Sequence, residues 1–304
     1  MATRPIFTAT HPRACSTAFE RVFMTRRDVL ESQHEPFGDA FYFGPEFLGT
    51  RFKDDPAARA VAPELQQTYK QVLHQFDEVE KQGKRVFIKD MAYYLFPPDG
   101  RAASIAPSLG GGEEPGNPTV VPLDVLRRFH FTFLIRHPRR AIPSYYRCTV
   151  PPLSEVTGWD TFMPSEAGYE ELVRLFDFLA RNDVVDKQHV TVVDADDLLD
   201  HPEETVRQYC AQTAVDYHPS MLEWNDQDRE HAEKLFAKWN GFHNDVLATS
   251  RLHARSAAQK TSTIESENKE WADKYGPEGQ KVIRQVVDDN IPHYEYLRQF
   301  CLRK

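Results

Sequence analysis

Two short segments of this chain carry side chains of the kind that bind phosphate groups. The first follows an apolar strand and reads Arg13-Ala14-Cys15-Ser16-Thr17, after which a helix with apolar positions begins. Small residues let backbone N–H groups approach an anion, and the hydroxyls of Ser16 and Thr17 add donors at the positive end of the helix. Arg13 supplies a fixed charge beside them. We therefore predict that residues 13–17 form a phosphate-binding turn.

The second segment begins with strand-forming residues 129–135 and ends at an arginine. Arg136 is followed by Pro138, and a helical turn then brings Ser144 eight positions after the arginine. A strand that ends in a cation and a helix start that offers a hydroxyl can contact one phosphate from two sides. Arg136 and Ser144 are therefore predicted to bind a second phosphate.

Each segment alone has an ordinary structural explanation. A Ser-Thr pair before an amphipathic helix is most often an N-cap, and a lone arginine at a strand end is often only a surface charge. The occurrence of both segments in order, each between an apolar strand and a helix start, favours phosphate binding. The sequence contains no G-x-x-x-x-G-K-[ST] pattern, which disfavours an ordinary ATPase or kinase.

Composition limits the classes of protein further. The 304 residues are 40% hydrophobic, and no apolar run approaches the ~20 residues that span a bilayer. The net charge of −9 argues against a nucleic-acid partner. Four cysteines are scattered without C-x-x-C spacing, and no cluster of metal ligands is visible. These features predict a cytoplasmic protein with no membrane segment and no bound metal, argue against a polyanionic substrate, and leave the oligomeric state open.

Alternating strands and helices predict an α/β fold with a parallel sheet covered on both faces. Predicted strands cover residues 6–10, 86–89, 129–135 and 190–193, with a further strand ending near residues 33–35. Predicted helices cover residues 64–82, 169–182, 202–213 and 277–290. The Gly- and Pro-rich residues 97–122 show no apolar period, and we expect a flexible lid there.

Three residues are candidates for acid–base chemistry. Glu35 precedes Pro36, which favours extended backbone, so Glu35 is expected at a strand end facing a cleft. His34 is the rival base, and because strand neighbours point to opposite faces, only one of the two should reach a substrate. A surface His-Glu pair before a turn is an equally acceptable interpretation. Lys89 ends the third strand and is the candidate cation.

Both phosphate segments resemble those of sulfotransferases that use 3′-phosphoadenosine 5′-phosphosulfate (PAPS). The resemblance implies that Arg13, Ser16 and Thr17 hold the 5′-phosphosulfate, and that Arg136 and Ser144 hold the 3′-phosphate. A glutamate after the second strand and a lysine at the end of the third also resemble the catalytic pair of that family. The resemblance implies that Glu35 takes the acceptor proton and that Lys89 stabilises the leaving oxygen.

The chain also departs from the family pattern. Ala14 and Cys15 replace Ser-Gly, and a cysteine is expected to require a more ordinary backbone conformation than glycine. Met91 stands where cytosolic members carry the catalytic histidine, and Ala195 where a tyrosine often meets the adenine. The C-terminal Arg-Lys-Gly motif is absent, and Arg251 or Arg255 is the candidate substitute. The resemblance covers roughly the first 220 residues.

We therefore expect a single three-layer α/β domain of P-loop type, with a core over residues 1–220 and a helical cap over residues 221–304. The predicted activity is transfer of a sulfuryl group from PAPS, without a metal, to a hydroxyl of a small, largely apolar or aromatic acceptor. Two alternatives remain open from the sequence. One is a non-sulfation reaction such as an elimination in a biosynthetic pathway, and the other is a catalytically silent anion- or nucleotide-binding protein.

Overall fold

The computed structural model describes residues 4–46, 48–55, 66–255 and 262–302. Its centre is a five-stranded parallel sheet with the strand order β2-β3-β1-β4-β5. The strands are β1 (Ile6–Thr10), β2 (Leu30–His34), β3 (Arg85–Met91), β4 (His130–Ile135) and β5 (Thr191–Asp194). Each predicted strand is present, with ends within two residues of the prediction.

Side chains alternate between the two faces of this sheet, as a β-strand requires. Phe7, Ile88 and Phe133 belong to one buried cluster, whereas their chain neighbours Ile6 and Phe87 belong to another. Helices cover both clusters, so the sheet is buried on both faces. The predicted three-layer α/β architecture is confirmed.

Helices connect the strands and complete the C-terminal part of the chain. They are α1 (Ser16–Met24), α2 (Pro36–Tyr42), α3 (Tyr69–Lys81), α4 (Leu123–Leu126), α5 (Pro138–Cys148), α6 (Ser154–Thr157), α7 (Tyr169–Arg181), α8 (Ala195–Asp200), α9 (Pro202–Thr213), α10 (Asp226–Phe236), α11 (Asn244–Leu247) and α12 (Ile264–Arg298). Short 3₁₀ turns cover Ala92–Leu95, Pro98–Gly100, Pro107–Leu109, Pro164–Glu166, Pro219–Leu222 and Ala237–Trp239.

Local signals explain where two of these helices begin or bend. The helix predicted over residues 64–82 begins at Tyr69, because Thr68 caps it through a reciprocal pair of hydrogen bonds with Gln71. Residues 64 and 65 of that prediction lie outside the described residues. Helix α12 extends the prediction for 277–290 in both directions and is interrupted at Gly276, whose φ of 74° a glycine tolerates.

Residues 97–122 differ from the flexible lid that the sequence predicted. Ile105, Ala106, Val120 and Val121 are buried in this segment. Backbone hydrogen bonds join Ala106 to Val120 and Val120 to Leu95, each at 2.8 to 2.9 Å. The apolar residues are too widely spaced to show a period, yet enough of them are buried to order the segment against the sheet. None of residues 97–122 lines the main cavity.

The C-terminal part returns to the sheet. Helix α12 packs against α5 and α7, and the backbone N–H of Leu302 donates to the carbonyl of Val192 in β5 at 2.9 Å. No helix among the described residues is both long and apolar enough to cross a bilayer. Division into a core over 1–220 and a cap over 221–304 stays a prediction.

Candidate active site

The carboxyl ends of β1, β2, β3 and β4 meet at one edge of the sheet, where open α/β folds bind their ligands. A cavity of about 370 Å³ opens there, within the size range of small-molecule sites. It brings together most of the residues predicted from both phosphate segments and from the strand end: Arg13, Cys15, Ser16, Thr17, Glu35, Arg136 and Ser144. Ala14, His34 and Lys89 are not among its lining residues.

The turn between β1 and α1 has a strained backbone. Arg13 has a φ of 64° and Cys15 a φ of 59°, although neither is a glycine. Cys15 is the N-cap of α1, and its side chain makes no capping hydrogen bond. The expectation that Cys15 requires an ordinary conformation is therefore wrong, since it adopts the left-handed one at a cost of roughly 1–2 kcal/mol. Arg13 and Cys15 line the cavity together with Ser16 and Thr17, the first residues of α1.

Arg13 joins the two phosphate segments directly. Its Nε donates to Ser144 Oγ at 3.0 Å, and its Nη1 donates to the carbonyl of Phe242 at 2.6 Å. Arg136 lies on the other side of the turn, where its Nη1 donates to the carbonyl of Arg13 at 3.1 Å. Within the described part of the chain, Arg136 Nε is buried without a hydrogen-bond partner. A buried donor of this kind gains most from an anionic ligand.

Glu35 follows β2 with a φ of 48° and a ψ of 51°, which places it in the left-handed region. The extended backbone that we expected before Pro36 is therefore wrong. The Glu35 N–H donates to the carbonyl of Lys89 at 2.8 Å, and its own carbonyl accepts from Lys238 Nζ at 2.9 Å. These two bonds hold Glu35 in the turn and direct its carboxylate into the cavity wall.

Lys89 lies behind Glu35. Its side chain is fully buried, and its Nζ donates to Glu35 Oε1. A second carboxylate oxygen, Glu20 Oε2, lies 3.7 Å from the same ammonium. Lys89 therefore contacts Glu35 without lining the cavity.

His34 is also buried behind the cavity wall. Its Nδ1 lies 2.7 Å from Glu20 Oε2, and its Nε2 lies 3.2 Å from His243 Nε2. Both ring nitrogens are engaged inside the protein. Of the two rival bases, Glu35 lines the cavity and His34 does not.

Two residues of the site were missed from the sequence. His243 lines the cavity and its Nδ1 lies 2.8 Å from Thr17 Oγ1, although 226 positions separate the two residues. Glu20 is fully buried on α1. A carboxylate among the apolar positions of α1 was a visible signal for Glu20, whereas nothing in the sequence around His243 pointed to the cavity.

Burial is the main cause of the pKa shifts of Glu20, His34 and His243. Burial raises the pKa of Glu20 to about 8, against the opposing charge of Lys89. Burial lowers the pKa of His34 well below its ordinary value, and the nearby Lys89 lowers it further. The pKa of His243 is lowered in the same way and by the same two causes. Both imidazoles are therefore neutral at physiological pH.

The part of the cavity next to Glu35 is aromatic. Its wall consists of Met91, Tyr93, Tyr94, Trp159, Trp239 and Phe242. Ring pairs such as Tyr93–Tyr94, with centroids 4.6 Å apart, pack the aromatic groups against one another. This wall favours a flat, largely apolar ligand beside the Glu35 carboxylate.

Residues from the C-terminal part of the chain also line the cavity. Arg251 and Trp224 both line it, and the buried Trp224 Nε1 has no partner among the described residues. Arg255 instead forms ion pairs with Asp196 and Asp200 at 3.1 and 2.8 Å. Of the two candidate substitutes for the missing C-terminal motif, Arg251 is at the cavity.

One group of side chains has the composition of a metal site. Ligand atoms of His34, Glu35 and His243 lie within 4.8 Å of one another. These atoms are engaged already, since the two imidazoles contact each other and Lys89 donates to the carboxylate. The Lys89 ammonium also opposes a second cation at this point. We therefore assign no metal ion to this group.

Comparison with known proteins finds similarity to sulfotransferases. No family model matches it. The chain is 26% identical over 248 residues to the sulfotransferase ppzF of Metarhizium majus, covering 75% of this chain and 72% of the relative. The ppzF sulfotransferase of Metarhizium rileyi is 25% identical over 248 residues with the same coverage.

Solved structures give a weaker likeness. A sulfotransferase domain from the curacin biosynthetic pathway is 15% identical, with 89% of this chain and 97% of that chain covered and a TM-score of 0.47. Mouse sulfotransferase SULT7A1 complexed with PAP is 8% identical, with 98% of this chain and 88% of that chain covered and a TM-score of 0.44.

The strand order and the turn after β1 define a P-loop-type α/β protein with a ligand site at the carboxyl edge of its sheet. The two curated relatives to which the chain is similar are both sulfotransferases.

Proposed function

We propose that this protein transfers the sulfuryl group of PAPS to a hydroxyl of a small, largely apolar or aromatic acceptor. The observation that carries the proposal is a single cavity lined by both phosphate segments, by Glu35 and by an aromatic wall. Similarity to the two ppzF sulfotransferases supports the reaction type. The donor and the acceptor class are our inference from the cavity.

The donor would be bound by the two phosphate segments. The N-terminus of α1 and the hydroxyls of Ser16 and Thr17 suit the 5′-phosphosulfate, because N–H dipoles and hydroxyl donors converge there. Arg136, with its unpartnered Nε, suits the 3′-phosphate, and Ser144 lies beside Arg13 on the same side. Arg13 is shared between the segments and would fix their separation.

Glu35 would be the general base. As the acceptor oxygen attacks sulfur, its proton passes to the Glu35 carboxylate, the bridging S–O bond breaks, and adenosine 3′,5′-bisphosphate leaves with the bonding electrons. We first expected Lys89 to stabilise the leaving oxygen. Because Lys89 does not line the cavity and donates to Glu35, we propose that it positions the Glu35 carboxylate. His34 has no exposed atom with which to contact the acceptor.

A binding experiment tests the donor. Adenosine 3′,5′-bisphosphate at ~100 times its dissociation constant should raise the free energy of unfolding by about 2.7 kcal/mol, and AMP or ADP should raise it less. Arg136→Ala should remove that selectivity, because the 3′-phosphate loses its charged partner. Arg127→Ala, at an exposed position three residues before β4, is the matched control and should keep it. Equal stabilisation by all three nucleotides would contradict PAPS as the donor.

Measurements of turnover distinguish sulfuryl transfer from silent binding and from elimination. Glu35→Gln should keep nucleotide binding and lower the rate of product formation by about 10²- to 10⁴-fold, the range for a lost general base. A silent binding protein would show no turnover in either form. An elimination enzyme would consume its substrate without releasing adenosine 3′,5′-bisphosphate.

A further inference from the structure

A continuous chain of hydrogen-bonding contacts runs from the cavity into the protein core. Thr17 Oγ1 contacts His243 Nδ1 at 2.8 Å, and His243 Nε2 contacts His34 Nε2 at 3.2 Å. His34 Nδ1 then contacts Glu20 Oε2 at 2.7 Å. Each of these residues is at least nine-tenths buried, and only Thr17 and His243 line the cavity. The reaction proposed above uses neither histidine, so this series of hydrogen bonds requires its own explanation.

The three hydrogen bonds between Thr17, His243, His34 and Glu20 must all run in the same direction. A neutral imidazole has one N–H and one lone pair, so a bond that is donated at one ring nitrogen must be accepted at the other. Both imidazoles are neutral, and therefore only two arrangements exist. Which of the two is present depends on whether the Glu20 carboxyl carries a proton.

With an ionised Glu20, His34 donates to the carboxylate and accepts from His243. His243 then accepts from the Thr17 hydroxyl, whose lone pairs are left toward the cavity. With a protonated Glu20, every bond reverses. Thr17 accepts from His243, and the hydroxyl hydrogen of Thr17 is free to donate to an anion in the cavity.

We propose that Glu20, His34 and His243 are positioning residues that set the direction of the Thr17 hydroxyl, and that the phosphosulfate end of the donor binds with uptake of one proton by Glu20. This inference rests on the proposed function, because it requires an anion at Thr17. No covalent bond changes in this step. One proton moves from solvent to the Glu20 carboxylate.

The charges around the chain support this coupling. Lys89 lies 3.7 Å from Glu20 Oε2 and also acts on both histidines. Lys238 acts on the same three groups, Glu35 faces Glu20, and Arg13 faces His243. Burial raises the pKa of Glu20 to about 8 in spite of these cations. The carboxyl therefore exchanges its proton at a pH where a phosphate ester is already fully ionised.

Titration calorimetry with adenosine 3′,5′-bisphosphate tests the proposal. At pH 9, in two buffers of different ionisation enthalpy, binding to the unaltered protein should take up nearly one proton. The dissociation constant should rise about tenfold per pH unit above pH 8, since only the protonated form presents the Thr17 hydrogen. Thr17→Ser should keep both effects.

Three variants should abolish the proton uptake while nucleotide binding stays measurable. Thr17→Ala removes the hydroxyl that donates to the anion in the cavity, and Glu20→Gln removes the carboxyl that takes up the proton. His243→Gln interrupts the chain in between and serves if the Glu20 variant does not fold. Proton uptake that persists in Thr17→Ala, or binding without uptake in the unaltered protein, would overturn this inference alone. Absence of any nucleotide binding would overturn the proposed function, and this inference with it.

Discussion

Lys89 is the fully buried cation that contacts the proposed base Glu35. Its ammonium has no exposure to solvent, it donates to Glu35, and it lies 3.7 Å from Glu20. Such a buried ion pair does not stabilise a fold by much more than an apolar replacement of both partners would. Removal of one partner is costly, because the remaining charge is buried and unpaired.

Replacement of Lys89 tests that asymmetry. Lys89→Met should lower the free energy of unfolding by about 3–5 kcal/mol at pH 7, measured by urea denaturation, and the added change Glu35→Gln should restore part of the loss. Lys84→Met is the matched control, because the ion pair of Lys84 with Glu31 is about one-third exposed and should contribute under about 1 kcal/mol. Equal losses at the two lysines would show that the buried pair has no special cost.

At this scale the sequence predicted the residues that follow a strand and missed those that reach the cavity from elsewhere. Glu35 and Arg136 each stand directly after a strand, and for Arg136 the apolar residues of β4 indicate the position. His243 belongs to a loop that has no period, and its contact with Thr17 depends on tertiary packing. A contact between residues 226 positions apart has no local signal.

The elements position the site through unusual turns. Three of the five non-glycine residues with positive φ among the described residues are Arg13, Cys15 and Glu35, all of which line the cavity. Strain concentrated at a ligand site is typical where a backbone must present several groups to one ligand. The other two, Asp183 and Ala214, lie after helices.

Substitution of Ala214 measures how much free energy of unfolding a non-glycine residue with positive φ costs. Ala214 follows α9 with a φ of 54°, and its backbone N–H donates to the carbonyl of Cys210. Ala214→Gly should raise the free energy of unfolding by about 1 kcal/mol, since glycine adopts this conformation without strain. Ala211→Gly, at an exposed position inside the same helix, should lower it by about 1 kcal/mol. Changes of the same sign in both variants would contradict this explanation.

Element types were predictable where an apolar period was present. Four of the strands and the helix Pro202–Thr213 are found where they were predicted, whereas for β2 only an end near residues 33–35 was predicted. Residues 97–122 were interpreted wrongly, because their buried residues are held by backbone hydrogen bonds and asparagine contacts that have no period. Asn117, for example, donates to the carbonyl of Val121 at 2.8 Å and orders the turn around it.

For the whole molecule, the buried acids should make stability decrease with rising pH. Burial raises the pKa of Glu20 from an ordinary value of 4.5 to about 8, and it raises the pKa of Asp90 well above its ordinary value. The folded state therefore holds protons that the unfolded state has released. Their contribution is fully present below the unfolded pKa and is lost as pH rises through the folded pKa.

Urea denaturation between pH 6.5 and 8 should show this loss. The free energy of unfolding should fall by about 1.4 kcal/mol per pH unit for each acid that stays protonated in the fold. Glu20→Gln should make the slope shallower by about that amount, because one such group is removed. Lys84→Met, which changes an exposed charge, should leave the slope unaltered. An identical slope in the Glu20 variant would show that Glu20 ionises normally.

The contacts of the phosphate-binding turn also affect how the protein is made. Thr17 contacts His243, and Arg13 donates to the carbonyl of Phe242, which lies 229 positions later. At about 5–20 residues per second, a ribosome needs roughly 10 to 45 s to synthesise the intervening chain. During that time Arg13 and Thr17 of the strained turn lack these two partners. A nascent chain can therefore form β1 to β4 long before the contacts of this turn are complete.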